Sequence, residues 1–218
     1  MTLGTSGIFI TFEGGEGCGK TTQIQHLARW IESNFDGLSA HTTREPGGTD
    51  DAELIRELLV NGAANRWQPA TEALMMSAAR HEHVVGVIRP ALERGEIVIS
   101  DRFIDSTHVY QGYVGGISSS LLDALDELSC GDLRPDLSFF LDINSGDGLA
   151  RATQRGVDEN RFEAKGAKYH EQVRQGFLRR TMDATDRIVK IDANRSEEEI
   201  AKEIAFHVGQ LFAARGIS

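Results

Sequence analysis

The stretch that most constrains this chain lies near its start. Ile8-Phe9-Ile10-Thr11-Phe12 is a short β-branched and aromatic run of strand type, and past Glu13 it enters Gly14-Gly15-Glu16-Gly17-Cys18-Gly19-Lys20-Thr21. That octet has the pattern G-x-x-x-x-G-K-[ST]. Ile24, Leu27, Ala28, Ile31 and Phe35 follow at helical spacing. Strand, glycine loop and amphipathic helix is the order that a phosphate-binding loop requires. Glycines let the backbone curl so that successive N–H groups converge on an anion, and the helix N-terminus adds positive potential. In such a loop Lys20 reaches the β- and γ-phosphates of ATP, and the Thr21 hydroxyl is placed to ligate Mg²⁺. The loop is silent on a second substrate.

The remaining chain repeats the alternation. Ala40–Thr43, Ile97–Ile99, Leu137–Ile143 and Ile188–Ile191 are further apolar runs of strand type. Helical patterns lie between them, at roughly Ala52–Val60 and Glu72–Glu93, and a capping box at Ser196–Glu199 opens a last helix with Ile200, Ile204, Val208 and Leu211 inward. Strands that are apolar throughout, alternating with helices, predict an α/β fold: a parallel sheet of about five strands with helices on both faces. Two segments lack a regular pattern, Gly112–Ser120 and Asn144–Gly166. The second carries Arg151, Arg155 and Arg161. The expectation is one domain over residues 1–218 with a mobile basic lid at about 144–166.

Charge narrows the function classes. Lys and Arg number 23 against 33 Asp and Glu, a formal charge of −10, which makes the chain a poor general binder of nucleic acid or anionic membranes. An anionic ligand must then be held by a local basic pocket, and Arg44, Arg80 and Arg102, each at or just past an expected element end, together suggest a second anion site. Asp101, at the carboxyl end of a buried run, sits where such folds place a carboxylate near the metal. No 18-residue apolar run is present, Met1 to Gly7 lacks the basic start of a signal peptide, and the two cysteines form no metal or disulfide pattern. A cytoplasmic location is expected. His81-Glu82-His83 fails the H-E-x-x-H pattern, because position 85 is Val85.

Thr43-Arg44-Glu45-Pro46-Gly47-Gly48-Thr49, followed by Asp101-Arg102-Phe103 and Tyr110-Gln111-Gly112, resembles the signatures of the thymidylate kinase family. The similarity runs from Ile8 to the C-terminal helix. It implies a P-loop kinase fold, γ-phosphoryl transfer from ATP to dTMP, and a homodimer. By the same resemblance, Arg44 and Arg102 match arginines near the acceptor phosphate, and Arg80 matches the arginine that meets a thymine carbonyl. Thr107 stands near the base N3–H, Tyr110 packs under the deoxyribose with Gln111 beside it, and Glu16 stands near the sugar 3′-hydroxyl. Met76 occupies a position where many relatives stack a Phe on thymine. Phe103 replaces a Tyr, and Val109 an Ala.

Some relatives carry a catalytic arginine inside the phosphate loop. Here the variable positions are Gly15, Glu16, Gly17 and Cys18, so the cation that supports Lys20 and Arg102 is expected from Arg151, Arg155 or Arg161. Two readings of Cys18 stand side by side: a thiol activated by the helix N-terminus, or a small apolar filler. Two rival functions also remain open at this level, a kinase of another nucleotide and a nucleotide-binding sensor with a dead site.

Overall fold

A computed structural model describes residues 7–154 and 165–217. The five apolar runs form one sheet from β1 (Ile8–Glu13), β2 (Ala40–Arg44), β3 (Ile97–Asp101), β4 (Leu137–Asp142) and β5 (Ile188–Asp192). Their order is β2-β3-β1-β4-β5, every pairing parallel. β1 is central, with Ile10 opposite Ile99 on one side and Leu137 on the other.

Strand side chains alternate between faces, so β1 feeds two cores. Ile8, Ile10 and Phe12 pack with Ile24, Leu27 and Ile31 of α1 (Lys20–Asn34) and with Ile200, Ile204, Val208 and Phe212 of α9 (Glu197–Ala214). Phe9 points the other way, into Val84, Ile88, Val98 and Phe103. Farther along that second face, Phe140 packs with Val109, Tyr110, Val173 and Phe177. Both faces are therefore covered, as the apolar strands require. The expected capping box is present: Ser196 caps α9 and Glu199 returns the bond.

The other helices are α2 (Asp50–Val60), α3 (Pro69–His83), α4 (Arg89–Glu93), α5 (Ile104–Thr107), α6 (Ser119–Cys130), α7 (Ser145–Gln154) and α8 (Ala167–Asp183). The helix expected over Glu72–Glu93 starts earlier, at Pro69, and widens to π geometry over Val84–Ile88 before α4. Pro90 explains the change. It cannot donate to the carbonyl four residues back and its ring crowds that oxygen, so the chain adopts the wider i→i+5 bond, Arg89 N–H to Val84 O.

Within the described residues, both segments read as irregular need correction. His108–Val114 is a π-helix, joined through Gly115–Ser118 to α6. Ser145–Gln154 is α7, with the Asn144 side chain accepting from Gly146 N. Glycines at 112, 115, 116, 146 and 148 lower helix propensity and hid both patterns. Among the described residues no helix is long and apolar enough to cross a membrane.

The core assignment is testable on α9. Phe212 is fully buried with its ring edge-on to Phe35, while Phe206 is exposed. Phe212→Ala should cost about 3–5 kcal/mol in urea unfolding. Phe206→Ala should stay within about 0.5 kcal/mol of the parent protein.

Candidate active site

At the end of β1 the chain turns on Gly14, Gly17 and Gly19, all with positive φ. Gly17 has a second constraint besides its φ of 71°: a Cβ there would stand 1.9 Å from Gly148 O. A Cβ on Gly148 would in turn stand 2.6 Å from Glu16 O. The loop and α7 thus meet backbone to backbone. Helix α1 begins behind the loop with Gly19 at its cap, no side-chain cap and no acidic residue in its first turn. Its orphan N–H groups and positive dipole end are left for an anion.

Lys20 is buried and folds back on the loop, with Nζ donating to Gly15 O at 3.1 Å and Gly14 O at 3.3 Å. Thr21 Oγ1 donates to Asp101 Oδ2 at 3.5 Å, so the two residues expected at a metal do converge. Hydroxyl and carboxylate oxygens are hard donors that suit Mg²⁺. Cys18 is 2% exposed, belongs to the core cluster, and has Sγ 3.6 Å from Lys20 Nζ. That placement favours the filler reading of the thiol.

Across the cleft, Arg44, Arg80 and Arg102 line the same cavity as Glu16 and the loop from Gly17 to Thr21. Met76, Thr107, Tyr110 and Gln111 line it too, so the residues expected at the acceptor share one cavity. Arg102 has φ 73°, a conformation rarely adopted by non-glycine residues. Its backbone is pinned there by Arg102 N–H to Phe12 O at 2.9 Å and by Ser100 Oγ–H to Arg102 O at 2.8 Å. The guanidinium then reaches back to the phosphate loop, donating to Gly14 O at 2.9 Å and Glu16 Oε1 at 3.0 Å, and lies over the Tyr110 ring.

Arg44 donates to both carboxylate oxygens of Glu53, at 3.0 Å each, and Gly48 N–H adds to the same carboxylate. Burial opposes ionisation of Glu53, but Gly48 and Arg44 outweigh it and hold its carboxyl below the ordinary value. Arg80 lies in the last turn of α3, 2% exposed, donating to Glu45 Oε2 at 2.9 Å and Thr107 Oγ1 at 2.8 Å. Gln111 Nε2 donates to the buried Glu72.

Sequence reasoning missed Arg56, which also lines the cavity and donates to Pro46 O at 2.8 Å. Burial, and then the charge of Arg44, lower its guanidinium from the ordinary value. Arg56 lies on an unremarkable amphipathic helix, and only the packing of α2 brings it to Arg44. Of the lid arginines, Arg151 lies on α7 and donates to Ala193 O at 3.4 Å, and it does not line this cavity. Arg155 and Arg161 fall outside the described residues. Both ring nitrogens of His83 have partners, Nδ1 at Glu45 and Nε2 at Thr43.

Glu13, one residue before the loop, is buried and accepts from Phe103 N–H at 2.8 Å and Ser106 Oγ at 2.6 Å. Burial, and next the charge of Asp105, push its carboxyl up to about 8. Asp105 goes the other way. Burial opposes its charge, but Arg187 and then Arg180 hold it below the ordinary value. Of these two buried carboxyls, Glu13 is the one pushed toward its protonated form.

A family model described as thymidylate kinase matches residues 12–204. The chain is 49% identical over 201 residues to a thymidylate kinase of Caulobacter vibrioides, covering 92% of this chain and 95% of that protein. It is 45% identical over 202 residues to one from Bartonella quintana, covering 91% and 94%. The crystal structure of thymidylate kinase from Ehrlichia chaffeensis superposes with a TM-score of 0.74 at 33% identity, covering 93% of this chain and 99% of that one.

The proton on Glu13 has a measurable consequence. In the unfolded chain this carboxyl ionises near its ordinary 4.5, while the folded protein keeps the proton to about 8. Between those values only the unfolded state releases it, so the group costs stability as pH rises through that window and adds nothing further above it. Melting temperatures of Glu13→Gln and the parent protein, compared from pH 5 to about 8, should diverge in favour of the variant as pH rises. A constant difference would show that Glu13 is ionised in the fold.

Proposed function

The chain belongs to the thymidylate kinase family, and from that premise and the geometry above we propose that it transfers the γ-phosphoryl of ATP to dTMP with Mg²⁺. One observation carries the reading: the uncapped N-terminus of α1 and the arginines Arg44, Arg56 and Arg102 open on one cavity that Arg80, Met76 and Tyr110 also line. The first group suits the phosphates and the second a nucleobase with its sugar.

On this reading the loop N–H groups from Gly15 to Thr21 cradle the ATP phosphates, and Lys20 leaves the loop carbonyls for the β- and γ-phosphates. Thr21 and Asp101 would hold Mg²⁺, which neutralises phosphate charge when bound. Arg44, Arg56 and Arg102 hold the dTMP phosphate, for which planar guanidinium forks are well shaped. Arg102 stands on the boundary. Its grip on Gly14 O and Glu16 ties the acceptor phosphate to the donor loop, so the two phosphates meet at a fixed separation. Glu16, through Arg102, adjoins the sugar. Arg80 donates to a thymine carbonyl, Thr107 and Gln111 complete the polar edge, and Met76 covers the ring face. Catalysis is positioning and charge stabilisation without a strong protein base, with the last cation drawn from Arg151, Arg155 or Arg161.

The reading places the protein in the cytoplasm as a homodimer, with residues 1–218 as one kinase domain and a lid at about 144–166. The net acidic charge and the arginines lining the cavity support small nucleotides as partners, rather than nucleic acid or membrane.

Release of ADP, measured over a panel of nucleoside monophosphates, tests the proposal. dTMP should be the best acceptor. It should exceed dUMP by a factor toward the low end of about 10–200, because one methyl against the flexible Met76 is worth only about 1–3 kcal/mol. Failure of dTMP to release ADP above the acceptor-free rate would overturn the reading.

A further inference from the structure

Arg80 is the most completely enclosed cation among the described residues, and its surroundings exceed what burial alone requires. Burial works against its charge, and Glu45 and then Asp126 outweigh that cost and hold the guanidinium above its ordinary value. Nε is taken by Glu45 Oε2 at 2.9 Å, Nη2 by Thr107 Oγ1 at 2.8 Å, and Nη1 faces Asp126 Oδ1 at 3.5 Å. The plane lies over the Phe103 ring at 5.2 Å. Three of the five guanidinium N–H groups are thus committed, to Glu45 just past β2, to Thr107 of α5 and to Asp126 of α6, and Arg80 also lines the cavity.

Asp126 stands behind this arrangement. It is 2% exposed, lies on α6, and does not line the cavity. Its second oxygen, Oδ2, is 2.8 Å from His108 Nε2. His108 directly follows Thr107, so one short segment supplies both the hydroxyl on Nη2 and the imidazole that orients the carboxylate on Nη1. His108, Asp123 and Asp126 also place ligand-type atoms within 4.8 Å of one another. Yet Asp126 already faces the guanidinium, and Asp123 is 70% exposed and 3.8 Å from the imidazole. The cluster is therefore an anchor for Arg80 rather than a metal site.

We propose that Asp126, oriented by His108, is a positioning residue that holds Arg80 in register for a pyrimidine carbonyl and thereby sets which nucleobase the acceptor cavity takes. The inference rests on the reading of that cavity as the dTMP site. A fixed N–H donor meets a carbonyl at the ring position where thymine has oxygen, and it meets an amine at that position in cytosine. A donor held rigidly there rejects cytosine because both groups would be left unpaired. Loss of the Asp126 charge leaves Arg80 paired with Glu45, so its charge stays compensated while the charge-assisted tether on Nη1 is lost. The guanidinium can then swing away from the mismatched amine, and discrimination falls.

The test measures kcat and KM for dTMP, dCMP and ATP in Asp126→Asn, His108→Leu and His108→Gln, with melting temperatures to establish folding. In Asp126→Asn the ratio of kcat/KM for dTMP over dCMP should fall by about tenfold or more, carried by a higher dTMP KM, with kcat within about threefold and the ATP KM unmoved. His108→Leu removes the donor to Asp126 and should lower the ratio by about threefold or more, whereas His108→Gln keeps a donor and should recover most of that loss. A ratio within about twofold of the parent protein in folded Asp126→Asn and His108→Leu overturns the inference. So does a loss of kcat and ATP binding at constant ratio, the mark of a purely structural role. Should Asp126→Asn fail to fold, the His108→Leu and His108→Gln pair decides alone. Absence of dTMP turnover in the parent protein marks instead the failure of the acceptor reading, which takes the inference with it.

Discussion

The structure depends on the backbone path between Glu13 and Lys20. Residues Gly14, Gly17 and Gly19 occupy positive φ there, and Gly17 packs against the backbone of Gly148 with no room for a side chain. That path leaves the first turn of α1 without a cap, and an uncapped helix N-terminus facing a cavity is a standing demand for an anion. The central position of β1 fixes where the demand is placed. Strands β3 and β4 flank it, so Asp101 and Arg102 at the end of β3 arrive beside the loop. Arg102 converts that adjacency into a tie, at the expense of a left-handed backbone that Phe12 O and Ser100 hold in place.

Charge in the cleft is matched locally. Among the described residues, each arginine lining the cavity except Arg56 has a carboxylate of its own: Glu53 for Arg44, Glu45 for Arg80 and Glu16 for Arg102. The exposed Arg44 pair contributes little to stability, whereas the Arg80 pair is fully buried and would be costly to break singly. Arg44, in the exposed pair, is thus the cation most able to exchange its partner for an incoming anion. The cation deepest in the pocket is fixed in advance.

Much of this was legible in the sequence. Continuous apolar runs such as Ile8–Phe12 and Ile97–Ile99 gave the parallel sheet, because buried strands leave no polar alternation. The glycine-rich octet gave the loop, because its backbone path has few other solutions. Legibility failed where glycine occurs inside helices, at Gly112 and at Gly146 and Gly148, since local propensity opposed what packing imposed. It failed again at Arg56 and Asp126. Each is an ordinary charge on an amphipathic helix, and each acquires its place only when α2 and α6 pack beside the cavity, bringing Arg56 to Pro46 and Asp126 to Arg80. Pro90 was visible, but its effect, a π turn rather than a break, follows from the helix being held at both ends.

The central claim is that donor and acceptor occupy one cavity, joined at the contact of Arg102 with Gly14 and Glu16. A compound that links thymidine to adenosine through an oligophosphate chain tests this directly, by inhibition kinetics with each substrate varied in turn. The account predicts competition against both ATP and dTMP by one bound molecule per chain. Competition against ATP alone, with dTMP binding undisturbed, would contradict it.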